Sequence, residues 1–431
     1  MNFPVDGRVV IIDDKFHEAF PLIRMLSQKR VATTFFSGRK KELPSKPFED
    51  VRMIFLDIVL EGLEGADDKT KISTLVNVIK KIISKENGPF ILAIWTKHPE
   101  MAKKIQEVLR NEGYYIIVVN LEKYNFFRRK EKDDRDECSE YIFEEEKLDE
   151  LKRKLNDQLN KVDIFKVFIN WENLIHEAAS KTVNEVSRFT EYDDNWNDEM
   201  KKIFYNLAKA WAGRMIENRE NAGKIRSALY SFHQLFSDVF ERELQRFEIE
   251  DAPLREVDIE DDMVRGKINF RILMDNNIGE KIYPGNVYKE EISDAEFIKG
   301  ILNENREEVL NIIVENSIPI IAEVTPVCDF VQRKVKLNRL IKGVLIPDSV
   351  DNHTDIWRRI KKSALFTYVS PVIHYDGKNY KMVLDFRYFT SFESDILRGM
   401  EVLFRIRKEL LWDIQIKLSH HINRTGVFYL E

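Results

Sequence analysis

"RMIFLDIVLEGLEG", residues 52–65, is the stretch whose reading decides the fold. Met53 to Leu56 run apolar without interruption, the run stops at Asp57, and a polar turn carrying Gly62 and Gly65 follows. A short continuous apolar run bounded by turn residues reads as a strand buried on both faces. An aspartate closing such a strand lies where the chain leaves the sheet.

Working outward, the same kind of run recurs through the first third of the chain. "RVVII" (8–12), "VATTFF" (31–36), "RMIFL" (52–56), "FILAIW" (90–95) and "YYIIVV" (114–119) are five strand candidates. Amphipathic stretches such as "EAFPLIRMLSQK" (18–29) and "PEMAKKIQEVLRNEG" (99–113) lie between them. Strands alternating with helices predict an α/β domain. The expected form is a flavodoxin-like, doubly wound sheet of five parallel strands with about five helices. In such sheets ligands meet the carboxyl ends of the strands.

Chemistry-bearing residues gather at those ends. "VVIIDD" puts Asp13 and Asp14 after the first strand, and "MIFLD" puts Asp57 after the third. "ILAIWT" ends the fourth strand on Thr96, and "IIVVNLEK" puts Lys123 just past the fifth. Crowded carboxylates repel one another unless a cation lies among them. Oxygen ligands with room for water suit Mg²⁺. Three acids, a hydroxyl and a lysine together form a site suited to accepting a phosphoryl group, one carboxylate being the nucleophile.

On the segments "VVIIDD", "MIFLDIVLEGLEG" and "ILAIWT", residues 8–127 resemble the receiver domain of two-component response regulators. The resemblance implies that Asp57 is the phosphoacceptor and that Asp13, Asp14 and Asp57 form a Mg²⁺ site. It implies Thr96 as the switch hydroxyl and Lys123 as the phosphate-contacting lysine. Two features depart from the family pattern. Residues 66–88, between the third and fourth strands, are longer than usual. Tyr124 follows Lys123 where the family carries a proline.

Beyond residue 127 the sequence changes character. Residues 128–150, "RRKEKDDRDECSEYIFEEEKLDE", read as a charged linker or helix start. Residues 151–250 read as a helical domain: Leu148, Leu151, Leu155 and Leu159 form one apolar stripe, and Ile203, Leu207, Trp211 and Met215 another. His176 and His233 fall in such helices and read as bundle residues rather than phosphotransfer histidines. Residues 251–431 read as an α+β output or interaction domain. "KINFRILM" (267–274), "SIPIIAEVTPVCDF" (317–330) and "RLIKGVLIP" (339–347) are its strand candidates. Residues 364–389 read as a hairpin turning at Asp376-Gly377, and residues 395–422 as one long helix. Cys328-Asp329 is an alternative site, with Cys328 as a nucleophile and His374 or His420 beside it. The plainer reading is a small buried cysteine.

Composition bounds the function. The chain has 431 residues, 43% of them hydrophobic and 33% charged, with a net charge of -6. That balance argues against an obligatory nucleic-acid partner. Two distant cysteines, Cys138 and Cys328, fit a reducing compartment. The N-terminal residues lack a signal-peptide pattern, and no apolar run is long enough to span a membrane. The expectation is a cytoplasmic, response-regulator-like protein that takes a phosphoryl group on Asp57 from a partner histidine kinase or another phosphodonor, with Mg²⁺. Its output is expected to be non-DNA-binding or a phosphate sink for a sister response regulator, and a homo-oligomer is allowed. Receiver proteins with unfamiliar outputs resemble members of bacterial stress or phage-defence operons. The alternatives are a receiver-gated enzyme with its site near Cys328 and Asp329, and a phosphate-independent pseudo-receiver scaffold.

Overall fold

A computed structural model describes residues 9–63, 65–95, 100–129, 141–247, 254–255, 257–291, 295–302, 306–353, 356–357, 360 and 366–423. The chain divides into two compact units. One comprises Met1–Met200 with Phe232–Leu254, the other Lys201–Ser231 with Arg255–Glu431.

The first unit is built on a five-stranded parallel sheet. Its strands are β1 (Val9–Ile12), β2 (Thr33–Phe36), β3 (Met53–Leu56), β4 (Phe90–Trp95) and β5 (Ile116–Leu121). They lie in the order β2-β1-β3-β4-β5, an arrangement compatible with a flavodoxin-like receiver. β1, β3 and β4 are buried on both faces because alternate side chains feed opposite cores, whereas the edge strands β2 and β5 are partly open. Val9, Ile11, Met53, Phe55, Ile91 and Ala93 join one core with α1 (Phe16–Gln28). Val10, Ile12, Ile54, Leu56, Leu92 and Ile94 join the other with α2 (Asp68–Ile82) and α3 (Glu100–Asn111). Ile12 is in register with both Phe36 and Leu56, so β1, β2 and β3 end level with one another.

One expected crossover helix is replaced. Between β2 and β3 the chain makes turns, and Phe48 pairs with the end of α2 through Phe48 N–H to Ile82 O (2.7 Å) and Ser84 N–H to Phe48 O (2.8 Å). Pro44 and Pro47 explain this, since each removes a backbone donor and disfavours helix in the residue before it.

Described residues on either side of 130–140 contribute to this unit's core. β6 (Phe127–Arg129) and β7 (Tyr141–Phe143) pair as an antiparallel ribbon. Phe126 and Phe127 pack against Trp95, Phe126 stacked on it at 5.5 Å, and Phe143 packs on both phenylalanines. α4 (Leu148–Leu159) adds Leu148, Leu151 and Leu155, and α5 (Ile164–Val186) adds Phe165 and Ile169. α6 (Trp196–Ala212) and α7 (Asn221–Arg246) complete the helical middle of the chain.

The second unit carries an eight-stranded antiparallel sheet. Its elements run α8 (Asp262–Leu273), β8 (Met274–Asp275), β9 (Asn286–Lys289), α9 (Ala295–Leu302), α10 (Glu307–Asn316) and β10 (Ile318–Glu323). They continue with α11 (Val327–Val331), β11 (Asn338–Pro347), β12 (Thr367–Val369), β13 (Ile373–Tyr375) and β14 (Lys378–Phe392). The last are α12 (Ser394–Arg398), β15 (Val402–Ile406) and α13 (Lys408–Ile422). The order is β12-β14-β11-β10-β9-β15-β8, with β13 beside β14. Asp376 (φ 45°) and Gly377 (φ 77°) make the expected tight turn between β13 and β14.

Three sequence expectations fail here. Of residues 317–330 only Ile318–Glu323 is strand, and α11 starts at Val327. Residues 267–274 are mostly helix, not strand. Asp261 caps α8 by accepting from Met263 N–H and Val264 N–H, and the helix runs through the alternating "KINFRIL". Residues 395–422 are not one helix. α12 ends at Arg398, and Val402–Ile406 then forms an inner strand between β9 and β8, with an irregularity between Val402 and Phe404.

Candidate functional site

The carboxyl ends of β1, β3 and β5 bring four titratable side chains together. Backbone pairing continues one residue past the strands. Asp13 N–H donates to Phe36 O (3.1 Å) and Asp57 N–H to Ile12 O (2.9 Å). The backbone at Asp13 and Asp57 is therefore fixed by the sheet itself. Each also closes its own turn: Asp13 Oδ1 accepts from Lys15 N–H (3.0 Å) and Asp57 Oδ1 from Val59 N–H (3.0 Å).

Lys123 opens a short turn after β5, and its ammonium enters the cleft. Nζ lies 2.6 Å from Asp13 Oδ2, 2.8 Å from Glu18 Oε2 and 3.1 Å from Asp57 Oδ2. A lysine ammonium has three donors, so these three carboxylates use all of them. Asp13 and Lys123 are 2% and 3% exposed as residues. The Asp57 side chain retains 15% exposure and is the more open carboxylate.

Burial pushes the Asp13 carboxyl up to about 6, against the pull of Lys123, and the neighbouring Asp57 charge adds to the rise. Burial alone would lower Lys123, but Asp13 and Asp57 outweigh it and hold the ammonium above its ordinary range. Burial would likewise raise Glu18, but its bonds to Lys123 keep it below the usual carboxylate range. Asp14 is raised, first by burial and then by Asp57.

Glu18 was not among the residues expected here. It stands in the first turn of α1, where Glu18 N–H bonds to Lys15 O and Lys15 Nζ approaches its carboxylate at 3.4 Å. The only sequence trace was an acid four residues past Asp14, at the start of a helix. Thr96 lies outside the described residues.

The donor set bears on a metal. Among the described residues no three acidic, histidine or cysteine side chains are grouped as a ready metal cage; Lys123 Nζ is the cation between Asp13 and Asp57. Asp14 Oδ1, however, is buried with no hydrogen-bond partner. An orphaned carboxylate oxygen that feels the Asp57 charge suits a hard divalent cation, which is commonly held by one or two carboxylates with water completing its shell.

The alternative residues Cys328 and Asp329 lie together on the short α11 of the second unit. Cys328 is exposed on the short α11, contrary to the expected burial, because β10 ends at Glu323 and the chain turns outward at Pro326. Its Sγ lies 4.0 Å from Asp329 Oδ1, and Asp329 faces Arg339 at 3.6 Å. His374 Nδ1 pairs instead with Asn379 Oδ1 at 2.9 Å.

A buried acid escaped the sequence reading. Glu323 is wholly buried at the end of β10, with Oε1 unpartnered and Tyr288 OH 3.5 Å from Oε2. Burial pushes it up to about 7, although Thr325 and Tyr288 pull it down. Among the described residues, no helix is long and apolar enough to cross a membrane. In comparison with known proteins, no family model matches the chain and no curated protein does so.

Proposed function

We propose that the first unit is a receiver that accepts a phosphoryl group on Asp57 from a histidine kinase or another phosphodonor. The observation that carries this reading is the meeting of Asp13, Asp14, Asp57 and Lys123 at the carboxyl ends of one parallel sheet. Asp57 is the nucleophile because its carboxylate is fixed by backbone yet partly open. One of its oxygens attacks the donor's phosphorus. The O–P bond forms, the donor's P–N bond breaks, and the electron pair leaves with the donor's imidazole nitrogen. Lys123 hydrogen-bonds the phosphoryl oxygens with the donor it now gives to Asp57. Asp14, with Asp13 and Asp57, would hold Mg²⁺, which would neutralise charge on the transferring group. The second unit is proposed as an interaction module that does not read DNA, in keeping with the net charge of -6.

A second reading has its own support. Lys123 already satisfies its three donors on Asp13, Glu18 and Asp57, as a purely structural ion cluster would. One experiment separates the two. The protein is incubated with acetyl phosphate, or with beryllium fluoride, in the presence of Mg²⁺. Modification or occupancy in wild type that is lost in Asp57→Ala supports the receiver. No signal from wild type with several donors, or equal signals from both proteins, supports the phosphate-independent scaffold.

A further inference from the structure

We infer that Glu18 is a positioning residue for Lys123, a role that rests on the phosphoryl-acceptor reading of this cleft. Two carboxylates other than the acceptor hold the ammonium, and both are closer to it than Asp57 is: Asp13 at 2.6 Å and Glu18 at 2.8 Å, against 3.1 Å. With two donors tethered, the third has one direction left, toward Asp57 Oδ2. That is where a phosphoryl oxygen would appear once Asp57 carries the group. Without Glu18, the four-carbon side chain would be anchored only between Asp13 and Asp57, and would be free to rotate toward either.

The placement of Glu18 favours its charged form. It sits in the first turn of α1, where the helix end favours negative charge. Its other oxygen is approached by Lys15 Nζ at 3.4 Å, which fixes the carboxylate from the solvent side. The side chain is 11% exposed, so water competes little for its contact with Lys123. Glu18 faces Lys123 and Lys15, and so acts on the acceptor through Lys123.

The test is a double-mutant cycle on acetyl phosphate reactivity with Mg²⁺, using wild type, Glu18→Gln, Lys123→Ala and the double variant. Glu18→Gln keeps the size of the side chain and removes its charge. Its rate should fall by about tenfold or more, the loss of one charge-assisted hydrogen bond. The double variant should react no more slowly than Lys123→Ala. Independent, multiplying effects would overturn the proposal. A second measurement needs neither the reaction nor Lys123→Ala. In wild type the Lys123 ammonium should give a slowly exchanging ¹⁵N signal at neutral pH, and Glu18→Gln should abolish or broaden it. An unchanged signal in a folded Glu18→Gln protein would overturn the positioning role. Should wild type prove unreactive to every phosphodonor, the receiver reading fails, and the ammonium signal alone decides whether Glu18 holds Lys123.

Discussion

Lys123 Nζ lies 2.6 Å from Asp13 Oδ2 across 110 positions of sequence, and both side chains are almost wholly buried. This pair ties the end of β5 to the end of β1. Buried ion pairs of this kind contribute little net stability when intact, but breaking one by removing a single partner is costly.

Lys123→Met should therefore destabilise the first unit by about 3–5 kcal/mol at neutral pH, because Asp13 and Glu18 lose their cation. Lowering the pH should narrow the deficit, since the orphaned acids can then protonate. Adding Asp13→Asn to Lys123→Met should recover part of the loss. Urea midpoints at pH 7 and pH 5 test all three statements. A loss below about 1 kcal/mol would show that the cluster is more hydrated than its burial indicates.

Phe143→Ala tests whether the charged stretch belongs to the fold. Phe143 is 7% exposed and packs against Phe126 and Phe127, which in turn surround Trp95. Truncating a buried phenylalanine typically costs about 3–5 kcal/mol. A fall in stability of that size, with a shift in tryptophan emission from exposure of Trp95, is the expected result. A change near zero would support the reading of residues 128–150 as a linker.

The strands of the first unit were legible because burial on both faces writes itself as a continuous apolar run. "FILAIW" is β4 residue for residue. The strand-end acids Asp13 and Asp57 were legible for the same reason: each is the first charge after such a run. Glu18 was not, since one acid in a helix's first turn looks the same whether it faces solvent or a buried lysine. The second unit misled where two periods overlapped. "KINFRILM" alternates polar and apolar residues like a strand, but the capping Asp261 and Gly266 decide otherwise. A Cβ on Gly266 would stand 2.8 Å from Asn379 Oδ1, so α8 lies closely against the β13–β14 hairpin there. Nothing local in the sequence records that approach. Glu323 was hidden too, because only the sheet's tertiary cover makes a strand-end glutamate fully buried.

Cys328 now carries a different expectation from the one its sequence suggested. An exposed thiol should react with a disulfide reagent near the rate of a free cysteine in native protein. Cys328→Ser should change stability by no more than about 0.5 kcal/mol, as surface substitutions usually do. Slow labelling would show that the residue is covered in solution. Fast labelling together with loss of cellular function in a stably folded Cys328→Ser protein would instead make the gated-enzyme alternative the leading one.

Glu323 predicts a pH dependence in the second unit. Its carboxyl is wholly buried and pushed up to about 7, first by burial, with Oε1 lacking a partner. In the unfolded chain the same group titrates near its ordinary value of 4.5. Between those values the unfolded state releases the proton while the folded state keeps it, so folding binds a proton. Stability of this unit should therefore fall as pH rises from about 4.5 to about 7, by an amount on the order of 3 kcal/mol, and level off above. Glu323→Gln carries no titrating proton, so its stability should lack this slope and exceed that of wild type at pH 8. Urea unfolding of both proteins between pH 5 and pH 8 reads the difference directly. Parallel curves would mean that Glu323 finds a cation or water in solution that its buried setting does not show.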